Sequence, residues 1–364
     1  MLMNEYFMKK AIDLATHGSG FVNPDPLSGA VVVKDNKIVG EGFYSHFGGL
    51  HAEFMALDSL LGDSRDAIMY VTIEPYYEGA AMEQLLSLLS KKGIRKLYIG
   101  MLNPNPDKKI NFLHELTKLG IEYEAGPFMD ECTELNEIYA YYVVHKLPFV
   151  FVKWAMTLDG KLATKTGDSK WISSDESLEF VHHLRQRVSA IMVGENTVKQ
   201  DDPLLTTRLE GVKISNPLRI IVSKYGEIPS DAKVLNVDSN TKTLIIASEG
   251  IKKEVEENYL NRGVQVAKLP LVDNHIDFRE VMKLLGSMGI DSLYIEGGSS
   301  ILGSAFESGC VHKVYTAIAP KIIGGYNAMT PVGGNGIERM QDAIMLKNVS
   351  YEVIGPDVIV KGYL

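Results

Sequence analysis

The stretch Pro148-Phe149-Val150-Phe151-Val152-Lys153-Trp154-Ala155-Met156-Thr157-Leu158-Asp159-Gly160-Lys161, continued by Gly167-Asp168-Ser169-Lys170-Trp171-Ile172-Ser173, decides how the chain folds. The apolar run from Pro148 to Val152 reads as a buried strand. It ends in a lysine, an Asp-Gly turn and a Gly-Asp turn. Ser173 or Ser174 can then cap a helix over 175–187, with acids in its first turn. A central strand that ends in polar residues and turns is where open α/β sheets place a ligand crevice. The same residues would also suit a solvated hairpin with ordinary surface lysines, so the rest of the chain must decide.

To the second-half side, strands are expected at 189–194, 218–223, 242–247, 264–268 and 291–296, and helices at 251–261, 277–287 and 299–308. From Val311 the pattern changes to strands and turns, ending in a hairpin around Gly355-Pro356. To the other side, Met3–Ala15 has helical spacing, and strands at 30–33 and 38–43 flank an Asp35-Asn36 turn. Helices follow at 51–61, 82–90 and 111–119, strands at 67–73, 95–101 and 121–124, and one closing helix at 130–145. Strand and helix alternate in both halves, so the class is α/β. Lys146-Leu147-Pro148 stops the closing helix and divides the chain into domains 1–146 and 147–364, which suits a length of 364 residues.

A net charge of −9 argues against a general nucleic-acid or anionic-membrane surface, so any bound anion must be gripped locally. The two cysteines cannot build a disulfide framework or a cysteine-rich metal site, which fits a reducing compartment. The N-terminus lacks the apolar core of a signal peptide, and the Phe149–Val152 run is too short to span a bilayer. The expectation is a cytoplasmic protein without membrane or nucleic-acid partners.

Three motifs carry chemistry. In Gly48-Gly49-Leu50-His51-Ala52-Glu53, a histidine stands two residues before a glutamate, the spacing of a zinc deaminase's ligand and proton shuttle. Such a site also needs two thiolates, yet no cysteine occurs between Glu53 and Cys132. Glu74-Pro75 is followed by Tyr76 where the first thiolate belongs. Glu78, Glu83 or His46 would have to substitute, against the preference of zinc for Cys and His, so zinc is expected to be absent. In Ile295-Glu296-Gly297-Gly298-Ser299-Ser300-Ile301-Leu302-Gly303-Ser304, a strand runs through two glycines into a helix. Free N–H groups there can cradle a phosphate, although a ligand-free tight turn has the same pattern. Third, Arg185, Thr197, Asp201 and Arg208 surround an Asp-Asp-Pro turn, where arginines can hold a phosphate or simply form surface ion pairs.

Together these stretches resemble the bifunctional deaminase/reductase of riboflavin biosynthesis over nearly the whole chain. Lys153–Ser173, Gly194–Arg208, Ile295–Gly303 and Ala319-Pro320-Lys321-Ile322-Ile323-Gly324-Gly325 carry the likeness through their order and spacing. The resemblance implies a cytidine-deaminase-like three-layer N-terminal domain and a dihydrofolate-reductase-like C-terminal domain. It implies NADPH as cofactor, a phosphoribosylaminopyrimidine as the small-molecule partner, and a homo-oligomer. Ala155, Trp171, Thr197, Asp201, Gly298, Ser299, Ser300, Gly303 and Ser304 would line the NADPH site. Ser169, Arg185, Leu205, Arg208 and Glu296 would contact substrate, with the arginines near its phosphate, and Lys153 and Glu296 would polarise the sugar and handle its proton. In the first domain His51 is the one family ligand retained, Glu53 a vestigial proton shuttle, and Leu85 falls at the second thiolate. Asp25-Pro26-Leu27-Ser28-Gly29 replaces the family's Asn-Pro-x-Val-Gly, and Asp107-Lys108-Lys109 shortens a loop. Ser223-Lys224 replaces an Asp-Ser at a strand end, and a lysine there could favour a phosphate. The expectation is a working reductase with a silent deaminase. Competing readings are an active bifunctional enzyme, a reductase of a related pyrimidine, and a non-catalytic partner of an intact homologue.

Overall fold

The computed structural model describes residues 3–77, 79–108, 111–126 and 128–364. By its contacts the chain divides into two compact units, Met1–Lys146 and Leu147–Leu364.

In the first unit, α1 (Met3–Thr16) precedes the hairpin β1 (Gly29–Lys34) and β2 (Lys37–Phe43). Asp35 and Asn36 sit at φ 49° and 60°, the left-handed pair that a two-residue hairpin requires. There follow α2 (Ala52–Asp58), β3 (Ala67–Ile73), α3 (Ala80–Lys91), β4 (Ile94–Met101), α4 (Phe112–Lys118), β5 (Glu122–Ala125), α5 (Met129–Leu135) and α6 (Glu137–His145). The five-stranded sheet has the order β2-β1-β3-β4-β5. Alternation along β1 sends Ala30 and Val32 into the core under α2, α3 and α4, and Val31 and Val33 into the core under α1, α5 and α6. Helices therefore cover both faces and the unit has three layers. The single closing helix expected at 130–145 is instead broken at Asn136. The Asn136 side chain accepts from Leu27 N at 2.8 Å and donates to Leu27 O at 3.0 Å, which fixes its backbone at φ −108°, ψ 18° between the two helices.

The second unit contains β6 (Phe149–Thr157), α7 (Asp175–Arg187), β7 (Ala190–Gly194), α8 (Glu195–Asp201), β8 (Leu218–Val222), β9 (Thr243–Ser248), α9 (Lys253–Asn261) and β10 (Gln265–Leu269). A small hairpin, β11 (Leu271–Val272) and β12 (His275–Ile276), precedes α10 (Phe278–Ser287), β13 (Ser292–Ile295), α11 (Ser299–Glu307) and β14 (Lys313–Ala319). The chain closes on β15 (Lys347–Ile354) and β16 (Asp357–Tyr363). The sequence reading missed α8 and the β11–β12 hairpin. The nine strands run β10-β9-β8-β7-β13-β6-β14-β16-β15, parallel from β10 to β14 and antiparallel through the last two. The core under α10 and α11 is built from Val150, Val152, Met192, Ile220, Leu293 and Ile295, the near-continuous apolar strands of a sheet covered on both sides.

Ser174 caps α7 through its side chain, as the motif predicted. A second acceptor joins it from far along the chain. The buried Asp357 carboxylate takes Ser174 N at 2.7 Å and Ser177 Oγ at 2.6 Å, so the terminal hairpin anchors the start of α7. Among the described residues no helix is long and apolar enough to cross a membrane.

Candidate functional site

Lys153 lies on β6 one step past the apolar run and its side chain is buried. Burial pulls its ammonium down to a pKa of about 8, an effect that Glu296 opposes and Arg185 reinforces. Glu296 follows β13, the strand beside β6, so the neighbouring strand ends place both groups at one edge of the crevice. Arg185 reaches it from α7. Its Nε and Nη2 donate to Glu296 Oε2 at 2.9 and 2.7 Å, its Nη2 also to Oε1 at 2.8 Å, and its Nη1 to Thr206 O at 2.8 Å. Burial works against the Arg185 charge, but the Glu296 carboxylate outweighs it and holds the guanidinium more firmly protonated. The carboxylate is thus oriented by a bidentate fork. Arg185, expected near a substrate phosphate, spends its donors on Glu296 and a carbonyl. Arg208, which is exposed, is the other guanidinium on the same wall.

Three cavities meet along these strand ends, of about 270, 210 and 320 Å³. Thr197, at the start of α8, lines all three. The middle one holds Lys153, Ala155, Ser169, Asp201, Glu296 and Gly298. On one side it opens to a cavity lined by Gly298 of the β13–α11 turn and by Ser299, Ser300 and Ser304 of α11. On the other it opens to one lined by Ser169, Trp171, Arg185, Leu205 and Arg208. The predicted residues therefore converge, with two departures. Trp171, expected on the cofactor side, is 66% exposed and borders the arginine cavity. Gly303 stands outside the cleft, where a Cβ would come 2.7 Å from the Gly333 backbone, so its role is close packing.

The residues present fit a dinucleotide. Gly297 and Gly298 have φ 84° and 86°, values that β-carbons disfavour. A Cβ on Gly298 would lie 2.9 Å from Thr197 Oγ1, while around Gly297 there is open space. Backbone can therefore approach a ligand closely at the N-terminus of α11, where unpaired N–H groups and the helix dipole favour phosphate.

Sequence reasoning missed His182, one turn before Arg185. Its Nδ1 accepts from Arg208 N at 3.2 Å, which leaves its proton on Nε2. Burial first, then the Arg185 and Arg208 charges, lower its pKa to about 4, so it is neutral at pH 7. Helical spacing from Arg185 was the available signal. Asn274 and His275, on the β11–β12 tip, also line the first cavity and were missed.

The first unit presents a different picture around His51, the residue before α2. Its ring stacks on Tyr44 at 4.2 Å and 11°, and meets Tyr77 edge-on at 4.8 Å. Tyr77, buried, donates to the buried Glu53 carboxylate at 2.7 Å. Burial and the Glu53 charge raise the Tyr77 pKa well above its ordinary value, so its proton stays in place. Tyr44 in turn donates to Asp25 Oδ2 at 2.8 Å and accepts from Gly48 N at 2.8 Å, its own pKa pushed up to about 12 chiefly by burial. Tyr76 bonds to Asp107 O at 3.2 Å, and Leu85 is packed into the core. Of the candidate substitute ligands, Glu83 and His46 are exposed, and Glu78 lies outside the described residues, as does Lys109 of the shortened loop. Among the described residues no three His, Cys, Asp or Glu side chains are grouped so as to hold a metal. The donor set among the described residues does not fit zinc.

Comparison with known proteins gives two family matches: the RibD C-terminal domain over residues 148–360, and the cytidine and deoxycytidylate deaminase zinc-binding region over residues 1–98. Riboflavin biosynthesis protein RibD of Actinobacillus pleuropneumoniae is 38% identical over 353 residues, covering 97% of this chain and 93% of its own. The RibD of Aquifex aeolicus is 36% identical, covering 98% of both chains. The crystal structure of a diaminohydroxyphosphoribosylaminopyrimidine deaminase/5-amino-6-(5-phosphoribosylamino)uracil reductase from Thermotoga maritima superposes with a TM-score of 0.83 at 34% identity, covering 99% of this chain and 98% of that one.

Proposed function

The chain belongs to the RibD family of riboflavin biosynthesis proteins, with a cytidine-deaminase-like and a reductase domain, and from that premise we propose that it reduces the ribosyl group of 5-amino-6-(5-phosphoribosylamino)uracil to ribityl with NADPH and no longer deaminates. The observation that carries the first half is the cleft in which buried Lys153 and the Arg185-clamped Glu296 stand between a phosphate cradle and an arginine-lined cavity.

NADPH, when bound, supplies the hydride. Gly298, Ser299, Ser300 and Ser304 would hold its phosphates at the α11 start, with Ala155, Thr197 and Asp201 beside the middle cavity. Arg208 and Ser169 bind the substrate from the other side, and Leu205 closes the wall. The sugar carbon bonded to nitrogen accepts hydride in its ring-opened imine form, and opening the ring leaves an oxygen that needs a proton. Lys153 supplies it: with a pKa of about 8 its ammonium is mostly protonated at pH 7 yet gives its proton up more readily than an exposed lysine. Glu296, held in one orientation by Arg185, keeps the ammonium and the sugar hydroxyls in register. Expulsion of water from the cleft strengthens each of these contacts.

Loss of deamination rests on the first unit's chemistry. A proton shuttle must reach a metal-bound water, and Glu53 is instead bonded to a tyrosine that keeps its proton. His51 lies between two aromatic rings, with Tyr76 and Leu85 at the thiolate positions. The test takes purified protein, NADPH, and the pyrimidine before and after deamination. NADPH oxidation with the deaminated substrate, without ammonia release and with zinc well below one per chain, supports the reading. Ammonia release with stoichiometric zinc would overturn its second half, and absence of NADPH oxidation its first.

A further inference from the structure

The cavity beside the α11 start contains a cation that the chemistry above does not use. Lys224, two residues past the end of β8, is the one Lys or Arg among its described lining residues. Its Nζ donates to Asn274 Oδ1 and lies 5.0 Å over the Tyr225 ring. Neither partner carries charge. The carboxylate on the same wall, Glu195, is already engaged by Lys199 at 2.9 Å and by the Ser223 hydroxyl. Asn274 stands at the tip of the β11–β12 hairpin, where Asp273 and Asn274 take φ 47° and 67°, so a rigid two-residue turn presents the amide to the lysine. An ammonium held by neutral partners, with no counter-ion among the described residues, on the rim of a dinucleotide-sized cavity, is suited to an added phosphate.

The sheet order gives the direction. From β6, which carries Lys153, the strands run β13, β7, β8. At about 4.8 Å per strand, Lys224 lies roughly 14 Å across the sheet from the reacting end, with the α11 phosphate cradle between. A dinucleotide whose nicotinamide faces Lys153 and whose pyrophosphate sits at Gly298 must lay its adenosine at the ends of β7 and β8. We infer that Lys224, steadied by Asn274, binds the phosphate on the adenosine ribose of the cofactor and so makes this cavity select NADPH over NADH. The inference rests on the reductase reading above and adds the residue that discriminates.

The experiment is calorimetric binding of NADP⁺, NAD⁺, 2′,5′-ADP and 5′-AMP to the full chain, wild type, K224A and K224R. K224A should weaken NADP⁺ and 2′,5′-ADP by roughly 10- to 100-fold, the size of one lost charge-assisted contact, and leave NAD⁺ and 5′-AMP within about twofold. K224R should retain most of the preference, since the charge is kept. Equal weakening of all four ligands, or no weakening, overturns the assignment. So does a wild type that binds 2′,5′-ADP no better than 5′-AMP, while NAD⁺ binding in that case leaves the reductase reading standing. A wild type that binds none of the four removes both.

Discussion

Replacing Arg185 by methionine tests whether the clamp on Glu296 is a folding element as well as a catalytic one. The side chains of Arg185 and Glu296 are 10% and 20% exposed, so little solvent is available to replace the lost contacts. Removing one partner of a buried ion pair costs about 3–5 kcal/mol because the other charge is left unpaired. The residual exposure of Glu296 puts R185M at the low end, near 3 kcal/mol. In the double variant R185M/E296Q that charge is gone, and what remains unmade is chiefly the donor to Thr206 O, about 1 kcal/mol. E296Q alone leaves the Arg185 charge unpaired at a similar cost of about 3 kcal/mol, so the double variant should fall about 5 kcal/mol short of the sum of the singles, far beyond the additivity limit. Both tryptophans, Trp154 and Trp171, lie in the second unit, so urea unfolding followed by tryptophan fluorescence reports on that unit alone. A loss below about 1 kcal/mol in R185M, or a double variant as unstable as the sum of the singles, would refute the argument.

Three further outcomes follow from the same geometry. Turnover should fall as pH rises through about 8, because Lys153 then loses the proton it donates; K153M should lower kcat by roughly 100-fold or more and flatten that limb, as read from pH–rate profiles. The His182 pKa is depressed to about 4 from 6.5, so the unfolded chain binds more protons between those values; stability of the second unit should decline as pH falls through that window, and H182Q should lessen the decline in fluorescence-monitored melts. Tyr77→Phe strips the buried Glu53 of its donor and should destabilise the first unit by about 1–3 kcal/mol without changing NADPH turnover, a combination that far-ultraviolet unfolding together with an NADPH assay will detect.

The alternation of strand and helix, the α7 boundaries and the Asp35-Asn36 turn could be read from the chain because each depends on local preference: period, cap and left-handed turn residues. Asp273-Asn274 carried the same turn signal, but its flanking strands are two residues each, too short for periodicity to register. The break at Asn136 was hidden for another reason, since its cause is Leu27, 109 residues away. Convergence of Lys153, Glu296 and Thr197 was visible in outline because strand ends in such sheets share one crevice. The partner of Arg185 was not, because motif order places residues near one another without saying which donor meets which acceptor. In the first unit the missing thiolates were plain in the sequence, whereas the occupation of Glu53 by Tyr77 is a matter of side-chain packing alone.

Asp357 closes the N-terminus of α7 across 183 residues of chain. During synthesis that cap arrives only after residue 357 has left the ribosome, long after the helix that aims Arg185 has been made. Until then α7 has the Ser174 hydroxyl alone at its frayed end, and the carboxylate at position 296 has no steadily held guanidinium. Competence of this cleft is thus set by a turn made long after the residues it steadies, and nascent chains halted before it, which lack β16, should remain unable to act.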